Sequence, residues 1–302
     1  MTSIRRARRS QLSVPGSSEK MLAKAAGSQA DHVFCDLEDA VAPSVKVEAR
    51  QKIVHALNSL DWGRKTRCVR INDVSTEWCH GDIIEIVEGA GRNLDTIMLT
   101  KPYGAADVLF LDRMLTQLEK KLGLERRIGI EVLIEEVQAL QNVEEIATCS
   151  DRMECLVFGM GDYSGSQGID TKSIGSDSDY PGDLFHYARW RITMAARAAK
   201  IDAIDGPYAD FGDEEGYRRE AVRARCLGMV GKWAIHPSQI APALDVFSPS
   251  NAEIANARKQ EEAYRAAEAR GLGAAQVDGV MIDVAVLRLT RNVLDRAELY
   301  GM

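Results

Sequence analysis

Two carboxylates stand out by where they fall. Glu135 follows the apolar run that ends at Ile134, and Asp162 follows the next such run, which ends at Gly159. Carboxylates at the ends of consecutive strands would face one mouth, and with waters and substrate oxygens they form a ligand set suited to Mg2+. Mn2+, another oxygen-preferring ion, should substitute. Arg70 ends an earlier run, and its guanidinium fork fits a carboxylate or a developing enolate oxygen. The competing reading of Arg70 is an ion pair with Asp36 or Glu38. Polar residues close nearly every other apolar run as well: Asp36-Leu37-Glu38-Asp39, Lys101-Pro102, Glu131 through Glu136, Asp205-Gly206-Pro207 and His236-Pro237-Ser238. Any single carboxylate here reads equally well as a helix cap or a surface ion pair, so the signal lies in the recurrence. Softer metal sites are disfavoured, because the five histidines show no HxxxH or HExxH spacing and the six cysteines form no CxxC pair. A metal here must be held by oxygen, and the cysteines read as reduced core residues.

Such a mouth needs strands to carry it. Short β-branched runs alternate with longer amphipathic stretches, the pattern of repeated βα units. Candidate strands are Gln11–Val14, His32–Leu37, Arg67–Ile71, Thr96–Thr100, Arg127–Ile134, Cys155–Gly159, Ala203–Ile204 and Lys232–Ile235; Val47–Ser59 and Ala106–Leu122 are clear intervening helices. Eight strands close a (β/α)8 TIM barrel, whose active site forms at the carboxyl ends of the strands. A doubly wound open sheet fits less well, since Val14-Pro15-Gly16-Ser17-Ser18 stands where a GxGxxG fingerprint would follow the first strand. The expected organisation is a barrel over residues 1–248 and a C-terminal helical extension over 249–302. That extension contains a helical stretch from Ser250 to Arg270, the break Gly271-Leu272-Gly273 and a last segment from Val277 to Met302. It would serve as a lid or as an arm on a neighbouring subunit. Within it, Asp283 is flanked by Val280, Met281, Ile282 and Val284, where a carboxylate is costly to bury without a purpose; the plainer reading is an N-cap of the closing helix.

Thirty-eight Lys and Arg against forty-five Asp and Glu leave the 302-residue chain at −7, which disfavours nucleic-acid binding. No apolar run approaches the roughly 18 residues of a membrane span, and the basic start Arg5, Arg6, Arg8, Arg9 leads into no signal-like apolar stretch. A cytoplasmic protein that meets no membrane is expected.

Five segments together carry a family resemblance: Arg9-Ser10-x-Leu12-x-Val14-Pro15-Gly16, Asp36-Leu37-Glu38-Asp39-Ala40-Val41, Val69-Arg70-Ile71-Asn72, Gly231-Lys232-Trp233-Ala234-Ile235-His236-Pro237 and Gly279-x-Met281-Ile282-Asp283. They resemble the CoA-ester lyases of the citrate lyase β-subunit and malyl-CoA lyase group, from about Arg9 to the final helix. The resemblance implies a Mg2+-dependent barrel, a homotrimer or homohexamer, that reversibly cleaves 3-hydroxy-dicarboxyl-CoA esters such as malyl-CoA, β-methylmalyl-CoA or citramalyl-CoA. The products would be acetyl-CoA or propionyl-CoA and glyoxylate or pyruvate. It implies Glu135 and Asp162 as metal ligands and Arg70 at the reacting carbonyl. Asp283 would be the acid/base delivered to an adjacent subunit, and Arg9 and Lys24 contacts to the CoA phosphates, against a plainer reading as basic tail and solvated helix face. Asp36, Glu38, Asp39, Lys101 and His236 would complete the mouth. The chain departs from the family at Glu136, where most members have Thr, at Thr100, where Pro precedes the lysine, and in the loop Gly165 to Asp183, which is short and borders the mouth where acyl specificity is set. A malyl-CoA thioesterase, a citrate lyase β-subunit of a larger complex and a non-catalytic CoA-binding subunit are the alternatives; the intact set Arg70, Glu135, Asp162 and Asp283 argues against the last.

Overall fold

The structure, a computed structural model, describes residues 5–169 and 182–302. Eight parallel strands close in chain order: β1 (Ser10–Pro15), β2 (His32–Asp36), β3 (Thr66–Arg70), β4 (Thr96–Leu99), β5 (Gly129–Ile134), β6 (Met153–Phe158), β7 (Asp202–Asp205) and β8 (Gly231–Ala234), with β8 pairing back onto β1. Around them run α1 (Glu19–Ala26), α2 (Lys46–Ser59), α3 (Cys79–Ala90), α4 (Ala105–Leu122), α5 (Val137–Gln141), α6 (Val143–Thr148), α7 (Met160–Gln167), α8 (His186–Ala199), α9 (Glu214–Leu227) and α10 (Ile240–Phe247). This is the TIM barrel expected from the alternation of strand-like and helical runs.

Because strand side chains alternate between faces, the interior is stacked in layers. The middle layer is apolar and buried, built from Phe34, Cys68, Met98, Leu133, Cys155 and Val157 and completed by Ile204 and Trp233. Toward the amino ends of the strands lies a polar layer. There the Glu131 carboxylate accepts from Arg8 (3.3 Å), Gln11 (3.2 Å) and Thr96 (3.1 Å) and meets His32 Nε2 at 3.0 Å. Arg8 also reaches Glu154 (2.6 Å) and Asp202 (3.1 Å), so the floor is closed by an ion-paired plug. Toward the carboxyl ends the same alternation delivers Asp36, Arg70 and Glu135, each two positions beyond an apolar-layer residue of its own strand: Phe34, Cys68 and Leu133. The cysteines are all free, and Cys35, Cys68, Cys79 and Cys155 are buried, in keeping with a reduced core role.

After the barrel come α11 (Asn251–Glu268), a hairpin of β9 (Ala275–Val277) and β10 (Val280–Ile282), and α12 (Val284–Tyr300). Ser250 and Glu253 form a reciprocal capping box at the start of α11. The hairpin is absent from the sequence reading, which ran one segment from Val277 to the end. Its turn is Asp278-Gly279, with φ of 51° and 82°, the dipeptide that favours a two-residue hairpin loop. The extension gathers a small apolar cluster of its own, Tyr264, Val277 and Ile282 with Ala263, Ala275, Val286 and Leu287 against it. Among the described residues no helix is long and apolar enough to cross a membrane.

Candidate active site

A cavity of about 920 Å3 opens at the carboxyl ends of the strands, lined on its polar side by Asp36, Asp39, Arg70, Glu135, Asp162 and His236. Its other flank is apolar and comes from β1 and α1, including Leu12, Val14 and Met21, with Lys24 at the edge.

Arg70 and Asp36 are register partners on adjacent strands. Arg70 Nε and Nη2 donate to the two oxygens of Asp36 at 2.7 and 2.6 Å, and Nη1 lies 3.3 Å from Glu38. The guanidinium also packs over the Trp233 and Phe34 rings, 5.2 and 5.7 Å from their centroids. Burial opposes its charge, but Asp36 and Glu38 outweigh burial and raise its pKa further. The ion-pair reading of Arg70 therefore holds: one edge of the fork is tied to Asp36, and Nη1 lies against Glu38 in the lining of the mouth. Trp233 was noted in the sequence only as part of a motif. Its inward position on β8 is what the alternation of that strand could have revealed.

Glu135 directly follows β5 and is buried, and Oε1 accepts the Lys101 backbone N–H at 2.9 Å. Space for it comes from Gly159, where a Cβ would fall 2.6 Å from Glu135 Oε2. Asp162 lies beyond the end of β6, in the first turn of α7, where a helix amino end favours negative charge. Its side chain is 44% exposed and its Oδ2 lies 3.9 Å from Lys101 Nζ. Lys101 adopts a left-handed backbone, φ 48°, which costs a non-glycine residue about 1 kcal/mol. That turn aims its N–H at Glu135 and lays its ammonium against Glu38 and Asp39. Burial pushes the Glu135 carboxyl up to about 8, and the nearby Asp162 and Glu38 charges add to it while Lys101 and Arg70 oppose. Burial likewise pushes Glu38 up to about 7. A buried carboxylate beside a second one, both open to the mouth and carrying only oxygen donors, is the chemistry a hard divalent cation fits. The residues present therefore suit Mg2+.

The remaining site residues divide. Glu136 turns away from the mouth, accepting from Ser166 Oγ at 2.6 Å. Exposed His236 stacks on Phe211 and bonds Ser238 Oγ at 2.9 Å. Arg9 is not brought to the mouth: it precedes β1, at the opposite end of the barrel, and its guanidinium grips both Asp31 oxygens at 2.7 Å and lies 4.2 Å from the Tyr300 ring centroid. Asp283 caps α12, accepting from Ala285 and Val286 backbone N–H groups at 2.9 and 3.0 Å, and does not line this chain's own mouth. Thr100 is buried and donates to the Ile71 carbonyl at 3.0 Å, bridging β3 and β4. Most of the loop from Gly165 to Asp183 lies outside the described residues. Sequence reasoning passed over Lys46, whose buried ammonium donates to Leu37 and Glu38 carbonyls and to Asn72 at 2.6–2.8 Å. It pins the Asp36–Asp39 loop, and only its position four residues before Arg50 on an amphipathic helix marked it.

A closed parallel barrel whose mouth joins two carboxylates to a clamped arginine is a site for a hard cation and an oxyanion at the place where barrel enzymes carry their chemistry. The chain belongs to the HpcH/HpaI aldolase/citrate lyase family, whose model matches residues 9–237. It is 40% identical over 304 residues, 97% of this chain and 96% of the relative, to the L-malyl-CoA/beta-methylmalyl-CoA lyase of Cereibacter sphaeroides (strain ATCC 17025 / ATH 2.4.3). It is 34% identical over 298 residues to the citrate lyase subunit beta of Escherichia coli (strain K12), covering 98% and 95% of the two chains. Among solved structures, CitE from Mycobacterium tuberculosis in complex with magnesium, acetoacetate and coenzyme A matches at TM-score 0.75 and 30% identity, over 96% of this chain and 97% of that one. A citrate lyase from Burkholderia xenovorans LB400 matches the fold at TM-score 0.85 and 24% identity, covering 97% and 92%.

Proposed function

We propose that this protein is a Mg2+-dependent carbon–carbon lyase that reversibly cleaves a 3-hydroxy-dicarboxyl-CoA ester of the malyl-CoA or β-methylmalyl-CoA type. The products are acetyl-CoA or propionyl-CoA and a 2-oxo acid such as glyoxylate. The observation that carries the reading is one mouth holding two metal-competent carboxylates, Glu135 and Asp162, beside an arginine clamped by Asp36. Glu135 and Asp162 would hold the cation. When bound, Mg2+ supplies Lewis-acid polarisation of the oxygens of the dicarboxyl half.

The chain's own groups do the rest. The bond between the α-carbon and the hydroxyl-bearing carbon breaks, and its electron pair moves to the thioester as an enolate. That oxygen meets the Nη1 end of Arg70, a fixed cation packed against Trp233 and Phe34, which costs little reorganisation when charge develops. The hydroxyl proton passes to water in the mouth as its carbon becomes the carbonyl of the oxo acid, and water restores the proton that the acid/base then spends. Asp283 of a neighbouring subunit returns a proton to the α-carbon; in condensation its carboxylate removes that proton. The apolar flank beside β1 and α1 suits the pantetheine arm, and Lys24 at its edge a CoA phosphate.

Residues 1–248 are the catalytic barrel and 249–302 the arm, and the assembly is a homotrimer or homohexamer in the cytoplasm. Support for the arm is its separate apolar cluster and its uncovered tip, where Val280, Met281 and Val284 beside Asp283 are 53–63% exposed. A product assay on a panel of 3-hydroxy-dicarboxyl-CoA esters, with and without Mg2+, tests the function. Oxo acid released in step with an acyl-CoA, and only with Mg2+, is expected. Free CoA thiol without oxo acid would make the protein a thioesterase, and no turnover on any ester would make it a binding subunit.

A further inference from the structure

A second cavity, of about 420 Å3, lies at the amino ends of β7 and β8, between the barrel and α12, and shares no lining residue with the mouth. That volume falls within the roughly 300–1,000 Å3 of small-molecule sites. Its charged lining is Arg5, Arg6, Arg197, Lys200 and Arg296 against Glu154, Asp202 and Asp295. All three carboxylates are already engaged: Glu154 by Arg6 (2.7 Å) and Arg8 (2.6 Å), Asp202 by Arg8 (3.1 Å) and Asp295 by Arg5 (3.3 Å).

Three cations are left over. Arg197, in the last turn of α8, donates to the Gly228 carbonyl at 2.5 Å. Among the described residues, neither it nor Lys200 nor Arg296 has a carboxylate within 4.0 Å. Lys200 holds its place at the end of α8 in a left-handed conformation, φ 62°. Arg296 is partly buried, and burial together with the Arg197 and Arg225 charges outweighs Tyr300 and Asp202 and holds its guanidinium below the ordinary arginine value. A desolvated cation facing other cations is costly unless an anion arrives from outside. This excess of positive charge also runs against the −7 of the whole chain. Asn292 and Tyr300 add neutral hydrogen-bonding groups to the wall.

We infer that this cavity binds a phosphate-class oxyanion, held between Arg296 on α12 and Arg197 and Lys200 at the end of α8. Guanidinium forks take two oxygens of a tetrahedral anion and the ammonium a third, the geometry for which these side chains are suited. Because the donors come from both the barrel and the C-terminal extension, a bound anion ties the last turns of α12 to the barrel floor.

The test is titration of the full-length protein with inorganic phosphate at low salt, followed by calorimetry and thermal unfolding, with glycerol phosphate and succinate in parallel. Saturable binding of one phosphate per chain is expected, weakened roughly tenfold by Arg296→Gln, as loss of a charge-assisted contact predicts, and weakened again by added NaCl. Lys200→Gln, at an exposed position that carries no packing, should weaken it in the same direction. Turnover of the CoA ester by either variant without phosphate should match the wild type, showing an intact fold and mouth. Binding that neither substitution changes, or no saturable binding at low salt, overturns the site; succinate binding more tightly than both phosphates overturns the phosphate class.

Discussion

Arg70 shows why residue type matters more than charge at this mouth. Asp36 takes its Nε and Nη2, so only a planar fork can hold that partner with one edge and offer Nη1 with the other. Arg70→Lys should therefore lose on the order of 100-fold or more in turnover, as removal of one transition-state donor does, and fall close to Arg70→Ala in steady-state assays. Glu135→Ala and Asp162→Ala should each abolish turnover and Mn2+ binding by electron paramagnetic resonance while circular dichroism stays unchanged, since neither side chain packs in the apolar core; full activity in EDTA would refute the metal reading. Arg70 and Glu135 were legible because they stand at strand ends, where the two-residue alternation fixes which way a side chain points, whereas Asp162 sits in the first turn of α7 and was legible only from its place after the β6 run. Asp36, Arg70 and Glu135 each follow an apolar-layer residue by two. Arg9 was misplaced for the complementary reason: a residue that precedes the first strand of a parallel barrel lies at the end opposite the mouth, and strand direction alone gives that. Lys46 and the strained turn at Lys101 were invisible because their roles depend on contacts between elements far apart in sequence, whereas Trp233 was within reach of the alternation along its strand.

At the scale of elements, the hairpin and α12 present Asp283 as both a cap and a candidate acid/base. Asp283→Asn preserves a side-chain acceptor for the Ala285 and Val286 N–H groups, so α12 should lose only a few tenths of a kcal/mol, well below the ~1 kcal/mol of a cap replaced by alanine. Turnover should nevertheless fall by two or more orders of magnitude, because an amide cannot carry the proton. A variant with full turnover would leave Asp283 as a cap alone. The arm itself was readable only in part. Its helices follow from capping residues and helical spacing, whereas the hairpin rests on three-residue strands whose single clear sign is Asp278-Gly279.

For the molecule as a whole, two features make measurable claims. If the arm crosses subunits, mixing Asp283→Asn chains with Glu135→Ala chains under exchange conditions should restore activity in sites that pair a wild-type barrel with a wild-type arm. Verified mixed oligomers with no recovery would return the arm to its own barrel. The barrel floor predicts the acid limb of stability. Burial alone would raise the Glu131 carboxyl, but His32 and Arg8 outweigh it and hold it well below its ordinary 4.5. A carboxyl depressed in the folded state contributes stability above its unfolded value and loses it as pH falls further. Thermal unfolding temperature should accordingly drop below about pH 4.5. Glu131→Gln should cost about 1–3 kcal/mol at neutral pH, because buried His32 and Arg8 lose a charged partner while Arg8 keeps Glu154 and Asp202, with a shallower acid limb in the same measurement. The eight-fold closure itself was legible from the alternation of runs. The floor was not, because Arg8 lies before the first strand and its three carboxylate partners come from β5, β6 and β7.

The uncovered tip of the C-terminal arm has a kinetic meaning. If the arm crosses subunits, a solitary chain carrying Val280, Met281 and Val284 in water would hold a barrel without its proton carrier and a proton carrier without its barrel. Catalytic competence then becomes a property of the population: the fraction of finished sites follows the association equilibrium and rises with protein concentration. A newly made chain would stay inert until it met its own kind, and dilution alone would switch the enzyme off.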